Sequence, residues 1–239
     1  MTVFSVIVPA FNEELYLPET LKHIQTALAA LKFSSELILV DNESTDATAA
    51  IASSQGARVI SESEHNISKV RNAGAANSRG DVLIFIDADT RVPEPLFQRV
   101  AEVMEDETCL GGAVTVEYEA FQRKWLKYYL AGWKFWDRFF NMKQGAAQFC
   151  RRSVFDQLRG YDEGIFVGED IEFYWRLARH ARKNGGRLNY IRDLKVRTSA
   201  RRFDKMSLAK ILLYTQPLYI YLNWRKRQVW DDWYQNTVR

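Results

Sequence analysis

The chain has 239 residues, of which 47% are hydrophobic and 26% charged, and its formal net charge is +3. This composition indicates one folded domain, with or without a helical extension, and excludes a disordered polymer. The small net charge gives no sign of a nucleic-acid partner, and Cys109 and Cys150 match no metal-ligand spacing, so we expect two buried thiols in a reducing compartment.

The first half of the chain alternates short apolar runs with segments of helical spacing. The pattern predicts strands at 3–8, 36–40, 58–60 and 81–86, and helices at 14–31, 45–54 and 68–78. The run at 81–86 is apolar on both faces, as a central parallel strand should be. The alternation predicts an α/β fold with a doubly wound, mostly parallel sheet flanked by helices.

The second half is less regular and contains no repeat and no linker. The pattern predicts helices at 93–104, 121–140, 170–183 and from Lys205 onward, with a break near Pro217, and strands at 112–118, 145–150, 188–191 and 194–197. We interpret residues 1–204 as one domain. Residues 205–239 form a helical tail that packs on this domain or lies at a membrane or oligomer surface.

The sequence contains no targeting or membrane-spanning pattern. Residues 3–8 have the pattern of a buried strand and follow no basic segment, and no stretch reaches the roughly 20 apolar residues that a bilayer requires. We therefore expect a cytoplasmic protein, and a peripheral contact with the inner face of a membrane is an open hypothesis.

Polar clusters follow three of the predicted strands, and in open parallel sheets ligands bind beyond these carboxyl ends. The clusters are 9–13, 41–46 and 87–89. Asp87 and Asp89, separated by Ala88, can face a divalent cation, since Mg²⁺ is bound by one or two carboxylates plus substrate phosphates. Two aspartates can also simply cap a turn. Their place after a central strand favours a metal site.

The order of these motifs resembles that of family-2 glycosyltransferases with the GT-A fold. The matching pieces run from residue 3 to residue 183 and comprise Ser5-Val6-Ile7-Val8-Pro9-Ala10-Phe11-Asn12-Glu13, Val40-Asp41-Asn42-Glu43-Ser44-Thr45-Asp46-Ala47-Thr48, Arg71-Asn72-Ala73-Gly74, Gly80-Asp81, Phe85-Ile86-Asp87-Ala88-Asp89-Thr90, Gly160-Tyr161-Asp162-Glu163 and Gly168-Glu169-Asp170. Each piece alone is loose, whereas the ordered set is specific.

The resemblance implies an inverting glycosyltransferase that moves one sugar from a nucleotide-diphosphate sugar to an acceptor hydroxyl with the help of Mg²⁺ or Mn²⁺. The donor-binding residues it implies are Pro9, Phe11, Glu13, Asp41, Arg71, Asp87 and Ala88. It also implies Asp89 and Asp87 as metal ligands, Asp41 as the partner of the donor's base, and Asp170 as the general base. Uridine is the expected base, and guanosine and thymidine stay open.

Glu169 and Asp170 begin a predicted helix, whose positive end favours ionised carboxylates. A general base must be ionised to accept a proton. A helix start with favourable charges and no chemistry is the competing interpretation, and the upstream motifs favour catalysis by this pair.

No histidine follows the last predicted strands, where many GT-A enzymes offer a third metal ligand. The corresponding stretch, 196–202, ends in Arg201 and Arg202, which could hold the leaving phosphate because guanidinium suits phosphate geometry. A solvated basic loop is equally consistent with this pattern. We interpret His23, His65 and His180 as surface or packing residues.

Two aromatic or apolar segments have several possible roles. Aromatic residues recur at helical spacing between Trp125 and Phe140, a pattern typical of a core stripe, an acceptor wall or a membrane-interface helix. The apolar tail from Leu208 to Trp224 would suit a membrane with a lipid-linked acceptor, or a homo-oligomer contact. The Gln-x-x-Arg-Trp motif of processive members is missing, so we expect transfer of a single sugar.

Two other functions compete with this interpretation. A nucleotidylyltransferase also uses an acidic Rossmann-like site, but it usually needs a glycine-rich basic loop after the first strand, which residues 9–13 are not. A non-catalytic nucleotide-binding module is disfavoured only by Glu169 and Asp170.

Overall fold

The computed structural model describes residues 3–119, 121, 123–132, 142–143 and 145–230. The strands in chain order are β1 Phe4–Ala10, β2 Ser35–Asp41, β3 Arg58–Ser61, β4 Val82–Ile86, β5 Thr90–Arg91, β6 Cys109–Glu119, β7 Ala147–Arg151 and β8 Arg187–Ser199. The helices are α1 Leu17–Ala29, α2 Thr48–Ser54, α3 Ile67–Ala76, α4 Leu96–Met104, α5 Lys124–Ala131, α6 Arg152–Gln157, α7 Glu169–Lys183, α8 Arg201–Lys205, α9 Leu208–Tyr214 and α10 Pro217–Asn223.

These strands form one sheet in the spatial order β3-β2-β1-β4-β7-β6-β8-β5. The half containing β3, β2, β1 and β4 is parallel throughout, which confirms the predicted Rossmann-like arrangement of the first half of the chain. Strand β7 runs antiparallel to both β4 and β6, and β6 pairs in parallel with β8. The sheet is therefore mixed where the chain turns to its second half.

Successive residues of the central strands face opposite layers of the core. Val6 and Ile84 pack with α1 and α4 on one face, whereas Ile7 and Phe85 pack with α3, α6 and α7 on the other. This two-sided burial explains why β1 and β4 are apolar at nearly every position. It also fixes the strand ends, so the polar residues that follow them come together at one rim of the sheet.

Two predictions differ from the structure. The prediction of two separate strands at 188–191 and 194–197 is wrong, because both segments belong to the single strand β8. The pairing of β8 with β6 shifts register between Val114 and Thr115, which is where the two predicted strands were divided. The helix predicted at 45–54 begins only at Thr48, because Asp46 accepts hydrogen bonds from the backbone N–H and hydroxyl of Thr48 at 2.9 and 2.5 Å.

The long helix predicted at 121–140 is observed as α5, and residues 133–140 lie outside the described residues. The tail is helical with the expected break, since α9 and α10 are separate and Pro217 occupies the first turn of α10. Met206 and Ile211 pack on Leu126 of α5, so the described part of the tail rests on the domain.

Gly74 sets the distance between α3 and the sheet. A Cβ at this position would lie only 2.9 Å from Cγ2 of Val40 and closer still to Ile7, so the helix rests directly on β1 and β2. Arg71 lies about one helical turn before Gly74 on α3. The close packing at Gly74 therefore also limits how far the backbone of Arg71 lies from the sheet.

We expect Gly74→Ala to lower the free energy of unfolding by about 1–3 kcal/mol, because overpacking forces neighbouring side chains and backbone to shift. Chemical denaturation measures this change. Ala76→Ser on the exposed side of the same helix is the matched control and should change stability by less than about 0.5 kcal/mol. Equal stability of the Gly74→Ala variant and the native chain would show that α3 does not need this close approach.

Candidate functional site

A cleft with a volume of about 1160 Å³ opens at the carboxyl ends of β1 and β4 and beside the start of α7. It contains most of the residues that the motifs predicted as site residues: Pro9, Phe11, Glu13, Arg71, Asp87, Ala88, Asp89, Glu169, Asp170 and Arg202. Arg201 and Asp41 are not part of the cleft wall, but they contact or adjoin residues that are. The topology therefore brings residues from five segments of the chain to one place.

Arg71 is the buried centre of this cleft. Its Nη1 lies 2.5 Å from Oε1 of Glu169 and its Nη2 lies 2.9 Å from Oδ1 of Asp87, while the guanidinium lies 5.3 Å from the ring centre of Tyr161. Burial alone would lower the pKa of Arg71, but the carboxylates of Glu169 and Asp87 raise it. The arginine is thus permanently charged and ties α3 to the end of β4 and the start of α7.

Asp89 lies deeper than Asp87 and faces different partners. Its side chain is 18% exposed, the hydroxyl of Thr198 donates to its Oδ1 at 3.1 Å, and Nη2 of Arg201 lies 3.6 Å from its Oδ2. Burial raises the pKa of Asp89, Arg201 opposes this shift, and the nearby charge of Asp87 adds to it. A cation that approaches Asp89 would relieve this destabilised negative charge.

Arg201 is held in place by Glu13. Its Nη2 lies 2.5 Å from both carboxylate oxygens of Glu13, and its guanidinium stacks 4.1 Å from the ring centre of Tyr16. Ionised partners at this distance form the strongest hydrogen bonds in proteins. Arg201, held by Glu13, therefore lies next to Asp89. It belongs to the stretch 196–202, which contains no histidine.

Two loops that follow β1 and β2 are joined by hydrogen bonds. Asn12 accepts from the backbone N–H of Thr45 at 2.8 Å, and its own N–H donates to the hydroxyl of Ser44 at 2.9 Å. Asn12 and Glu43 both adopt positive φ, 53° and 57°, which is uncommon for residues with a side chain. Strain of this kind persists where surrounding contacts determine the backbone, and it often marks a binding site.

Asp41 ends β2 beneath these loops. Its Oδ2 accepts from the backbone N–H of Ser44 at 3.3 Å, whereas its Oδ1 is buried and has no hydrogen-bond partner among the described residues. A buried acceptor without a partner is unfavourable, so a donor supplied by a ligand would stabilise it.

The ring of His65 lies 4.7 Å from that of Phe11, in an edge-to-face arrangement, and its Nδ1 lies 3.3 Å from Oδ1 of Asn42. We predicted His65 to be a surface or packing residue, and it does pack, but against a residue of the cleft wall. Its position after β3, at the same rim, is the sequence signal that could have placed it there.

Asp170 is the second residue of α7 and belongs to the same cleft as the metal-ligand candidates. Its Oδ2 accepts from the backbone N–H of Gly145 at 2.5 Å and its Oδ1 from that of Ile171 at 2.8 Å. Burial and the neighbouring charge of Glu169 raise the pKa of Asp170 to about 7, although Arg71 acts in the opposite direction. A carboxylate with this pKa can accept a proton near neutral pH.

The carboxylates of this cleft fit a divalent cation only in part. No group of three His, Cys, Asp or Glu side chains that could hold a metal occurs among the described residues. Asp89 and Asp87 are a donor set suited to Mg²⁺ or Mn²⁺ when substrate phosphates complete the coordination shell. We therefore expect weak metal binding in the absence of a nucleotide.

A model of glycosyl transferase family 2 matches residues 5–159. This match covers more than half of the chain and includes the loops after β1, β2 and β4. The chain belongs to glycosyltransferase family 2.

Among curated members of the family, an undecaprenyl-phosphate 4-deoxy-4-formamido-L-arabinose transferase from Pseudomonas fluorescens is 31% identical over 129 residues. The alignment covers 51% of this chain and 38% of that relative. The chain thus spans well under two thirds of the relative's length.

Solved structures with the GT-A fold confirm the expected fold class. The S. aureus TarS fragment 1–349 in complex with UDP superposes with a TM-score of 0.64 at 19% identity, covering 85% of this chain and 62% of that one. Glucosyl-3-phosphoglycerate synthase from Mycobacterium tuberculosis, in complex with Mn²⁺, UDP and glucosyl-3-phosphoglycerate, superposes with a TM-score of 0.59 at 22% identity, covering 94% and 80%.

The raised pKa of Asp170 makes the folded state prefer the protonated form of this carboxyl. The free energy of unfolding therefore decreases as pH rises from about 4, the ordinary pKa of aspartate, to about 7, the pKa of Asp170 in the folded chain. We expect Asp170→Asn to be more stable than the native chain at pH 8, and this advantage should shrink toward pH 5. Thermal unfolding at both pH values measures it.

Asp193→Asn removes an exposed aspartate that pairs with Arg99 and is the matched control. A stability difference between Asp170→Asn and the native chain that is the same at pH 5 and pH 8 would contradict the raised pKa.

Proposed function

We propose that this glycosyltransferase family 2 chain transfers one sugar from a UDP-sugar to an acceptor hydroxyl with inversion at the sugar carbon. The observation that carries the proposal is the single cleft that contains Asp89, Asp87 and Asp170, with Arg71 paired both to Asp87 and to Glu169, the neighbour of Asp170. A metal-assisted leaving group and a general base have to meet in one cleft, because they act on the two bonds that are exchanged at the same sugar carbon.

The uridine of the donor would lie over the loops after β1 and β2. The unpartnered Oδ1 of Asp41 is suited to accept the N–H of a pyrimidine ring, and Pro9 and Phe11 supply apolar surface beside it. The structures of TarS and of glucosyl-3-phosphoglycerate synthase were both solved with UDP, which supports uridine as the base.

The diphosphate would lie between Asp89 and the two arginines that begin α8. Asp89, with Asp87, would hold Mg²⁺ or Mn²⁺, which neutralises charge on the leaving diphosphate when bound. Arg201 and Arg202 would bind the phosphate oxygens, with Glu13 as the residue that positions Arg201. The Mn²⁺ in the glucosyl-3-phosphoglycerate synthase complex supports a divalent cation.

Asp170 would remove the proton of the acceptor hydroxyl as its oxygen attacks the sugar carbon. The bond from that carbon to the diphosphate oxygen breaks on the opposite face, the electron pair leaves with UDP, and the proton stays on Asp170. Glu169 would not exchange a proton itself, because Arg71 holds its carboxylate at 2.5 Å. Its role is to fix the first turn of α7 and thereby the position of Asp170.

Asp89→Ala should abolish metal-dependent binding of UDP, because the variant loses the most buried carboxylate of the metal site. We expect at least a tenfold weaker affinity in calorimetric titrations with Mn²⁺, on the scale of a lost charged interaction. Asp193→Ala should bind as the native chain does. Unchanged affinity in Asp89→Ala would contradict the assigned ligand.

If UDP fails to bind the native chain with or without Mn²⁺, guanosine and thymidine diphosphates are the next ligands to titrate.

Asp170→Asn separates catalysis from simple binding, since we expect it to bind UDP normally and to lose turnover. Full turnover in that variant would contradict the assignment of the general base.

We also propose that the described tail binds the surface of an anionic membrane, which would suit a lipid-linked acceptor. Helices α9 and α10 expose large apolar side chains: Leu208, Leu212, Leu213, Leu218, Tyr221 and Leu222. Basic residues accompany them, and Asp204, the one acidic residue between 201 and 230, is buried. Apolar side chains beside cations match the chemistry of a membrane interface.

The tail also borders the cleft, since Tyr214, Thr215 and Ile220 belong to the cleft wall. A membrane bound at α9 and α10 would therefore lie near the acceptor side of the site. The undecaprenyl-phosphate named for the Pseudomonas fluorescens relative is consistent with this arrangement. No helix among the described residues reaches the length and apolarity needed to cross a membrane.

Leu218→Glu should reduce co-sedimentation with vesicles of phosphatidylglycerol and phosphatidylcholine at low salt at least fivefold, because it places a negative charge in the apolar face. Leu15→Glu, at a site that is also strongly exposed but lies outside the tail, is the matched control. Equal vesicle binding by both variants would contradict membrane contact. Sedimentation velocity on the same variants tests the alternative, a homo-oligomer formed through the tail.

A further inference from the structure

A second groove, with a volume of about 350 Å³, lies between the last turns of α7 and the first half of β8. It adjoins the main cleft, because Lys143, Tyr190 and Arg192 belong to the walls of both. The side chains around the groove are strongly biased in charge. Its described wall contains four cationic residues and no carboxylate: Lys143, Arg182, Arg187 and Arg192.

Two of these cations share one aromatic ring. Nζ of Lys143 lies 4.1 Å from the ring centre of Tyr190, and the guanidinium carbon of Arg192 lies 5.5 Å from the same centre. Lys143 is 7% exposed, whereas Arg192 is exposed. Two cations beside one aromatic ring make the border between the groove and the main cleft positive, which favours an anion there.

The other cations of the groove differ in how far they are already engaged. Arg187 is bound by Asp106, whose Oδ2 lies 2.6 and 2.8 Å from two of its nitrogens. Arg182 is exposed near the end of α7, where a cation is also favoured by the helix dipole. Lys143 and Arg192, on the border with the main cleft, are therefore the residues best placed to bind an anion that also enters that cleft.

The segment that carries Lys143 is tied to the proposed general base. The side-chain amide of Gln148 donates to the carbonyl oxygens of both Lys143 and Asp170, at 3.2 Å in each case. The backbone N–H of Gly145, two residues after Lys143, holds the carboxylate of Asp170. Lys143, a residue of the groove wall, is thus connected to Asp170 through Gln148.

We infer that this groove binds a phosphate group of the acceptor, with Lys143 and Arg192 as its ligands. The inference rests on the proposed function, because it assumes that the main cleft holds the donor and that Asp170 faces the acceptor. Guanidinium and ammonium groups around a partly desolvated groove are the usual partners of phosphate oxygens. The phosphate can belong to a soluble phosphomonoester or to the headgroup of a lipid, and both present the same chemistry.

The test measures binding of glycerol 1-phosphate by calorimetry to the protein saturated with UDP and Mg²⁺, at low ionic strength. We expect binding by the native chain and at least tenfold weaker binding by Arg192→Met, with partial recovery in Arg192→Lys. Arg179→Met removes the same charge from an exposed position on α7 outside the groove wall and should bind as the native chain does. Circular dichroism of each variant checks that the fold is kept.

A second arm identifies the source of the phosphate. Vesicles of phosphatidylcholine with phosphatidic acid present the phosphomonoester on a lipid, and vesicles of phosphatidylcholine alone are the blank. Loss of phosphatidic-acid-dependent binding in Arg192→Met, together with weak binding of glycerol 1-phosphate by the native chain, assigns the groove to a lipid phosphate. The reverse pattern assigns it to a soluble ester.

Equal affinities of Arg192→Met and Arg179→Met for both probes would overturn the inference. So would binding of glycerol 1-phosphate only in the absence of UDP, since this would place the probe in the diphosphate pocket. If UDP itself does not bind with the metal, the proposed function fails. If UDP binds and neither phosphate probe does, only the phosphate groove fails.

Discussion

The candidate site depends on one buried arginine. Arg71 on α3 pairs with Asp87 at the end of β4 and with Glu169 at the start of α7, so three elements distant in sequence meet at one guanidinium. Removing one partner of a buried pair leaves an uncompensated charge, which typically destabilises a protein by about 3–5 kcal/mol. This junction holds Asp87 and Glu169, the immediate neighbours in the site of Asp89 and Asp170.

Two buried acidic groups of the site are only partly compensated by the protein itself. Asp89 is negative and buried beside Arg201, and Asp41 keeps one oxygen without a partner among the described residues. Both groups gain from a ligand that brings a cation and an N–H donor, as a metal-bound uridine diphosphate does. Asp170 lies outside this network of tight pairs, and its raised pKa suits proton transfer. Arg71 thus joins the neighbour of Asp89 to the neighbour of Asp170, since it pairs with Asp87 and with Glu169.

The sequence predicted the part of this architecture that follows from local pattern. The parallel half of the sheet, the rim position of Asp41, Asp87 and Asp89, and the start of α7 at Glu169 all follow from apolar runs and the polar residues after them. The antiparallel insertion of β7 and the continuity of β8 could not be predicted, because strand pairing depends on contacts between distant segments. The pairing of Arg201 with Glu13, 188 residues away, has no local signal either. The sequence motifs named Arg71 and Arg201 along with the acids, but not the ion pairs that these arginines form.

The most direct test of this account is a crystal of the protein grown with UDP and Mn²⁺, with anomalous scattering recorded at the manganese edge. We expect one strong anomalous peak beside the carboxylate of Asp89, with the uracil ring against Asp41. A peak away from Asp89 and Asp87, or a uridine bound elsewhere than over the loops after β1 and β2, would contradict it.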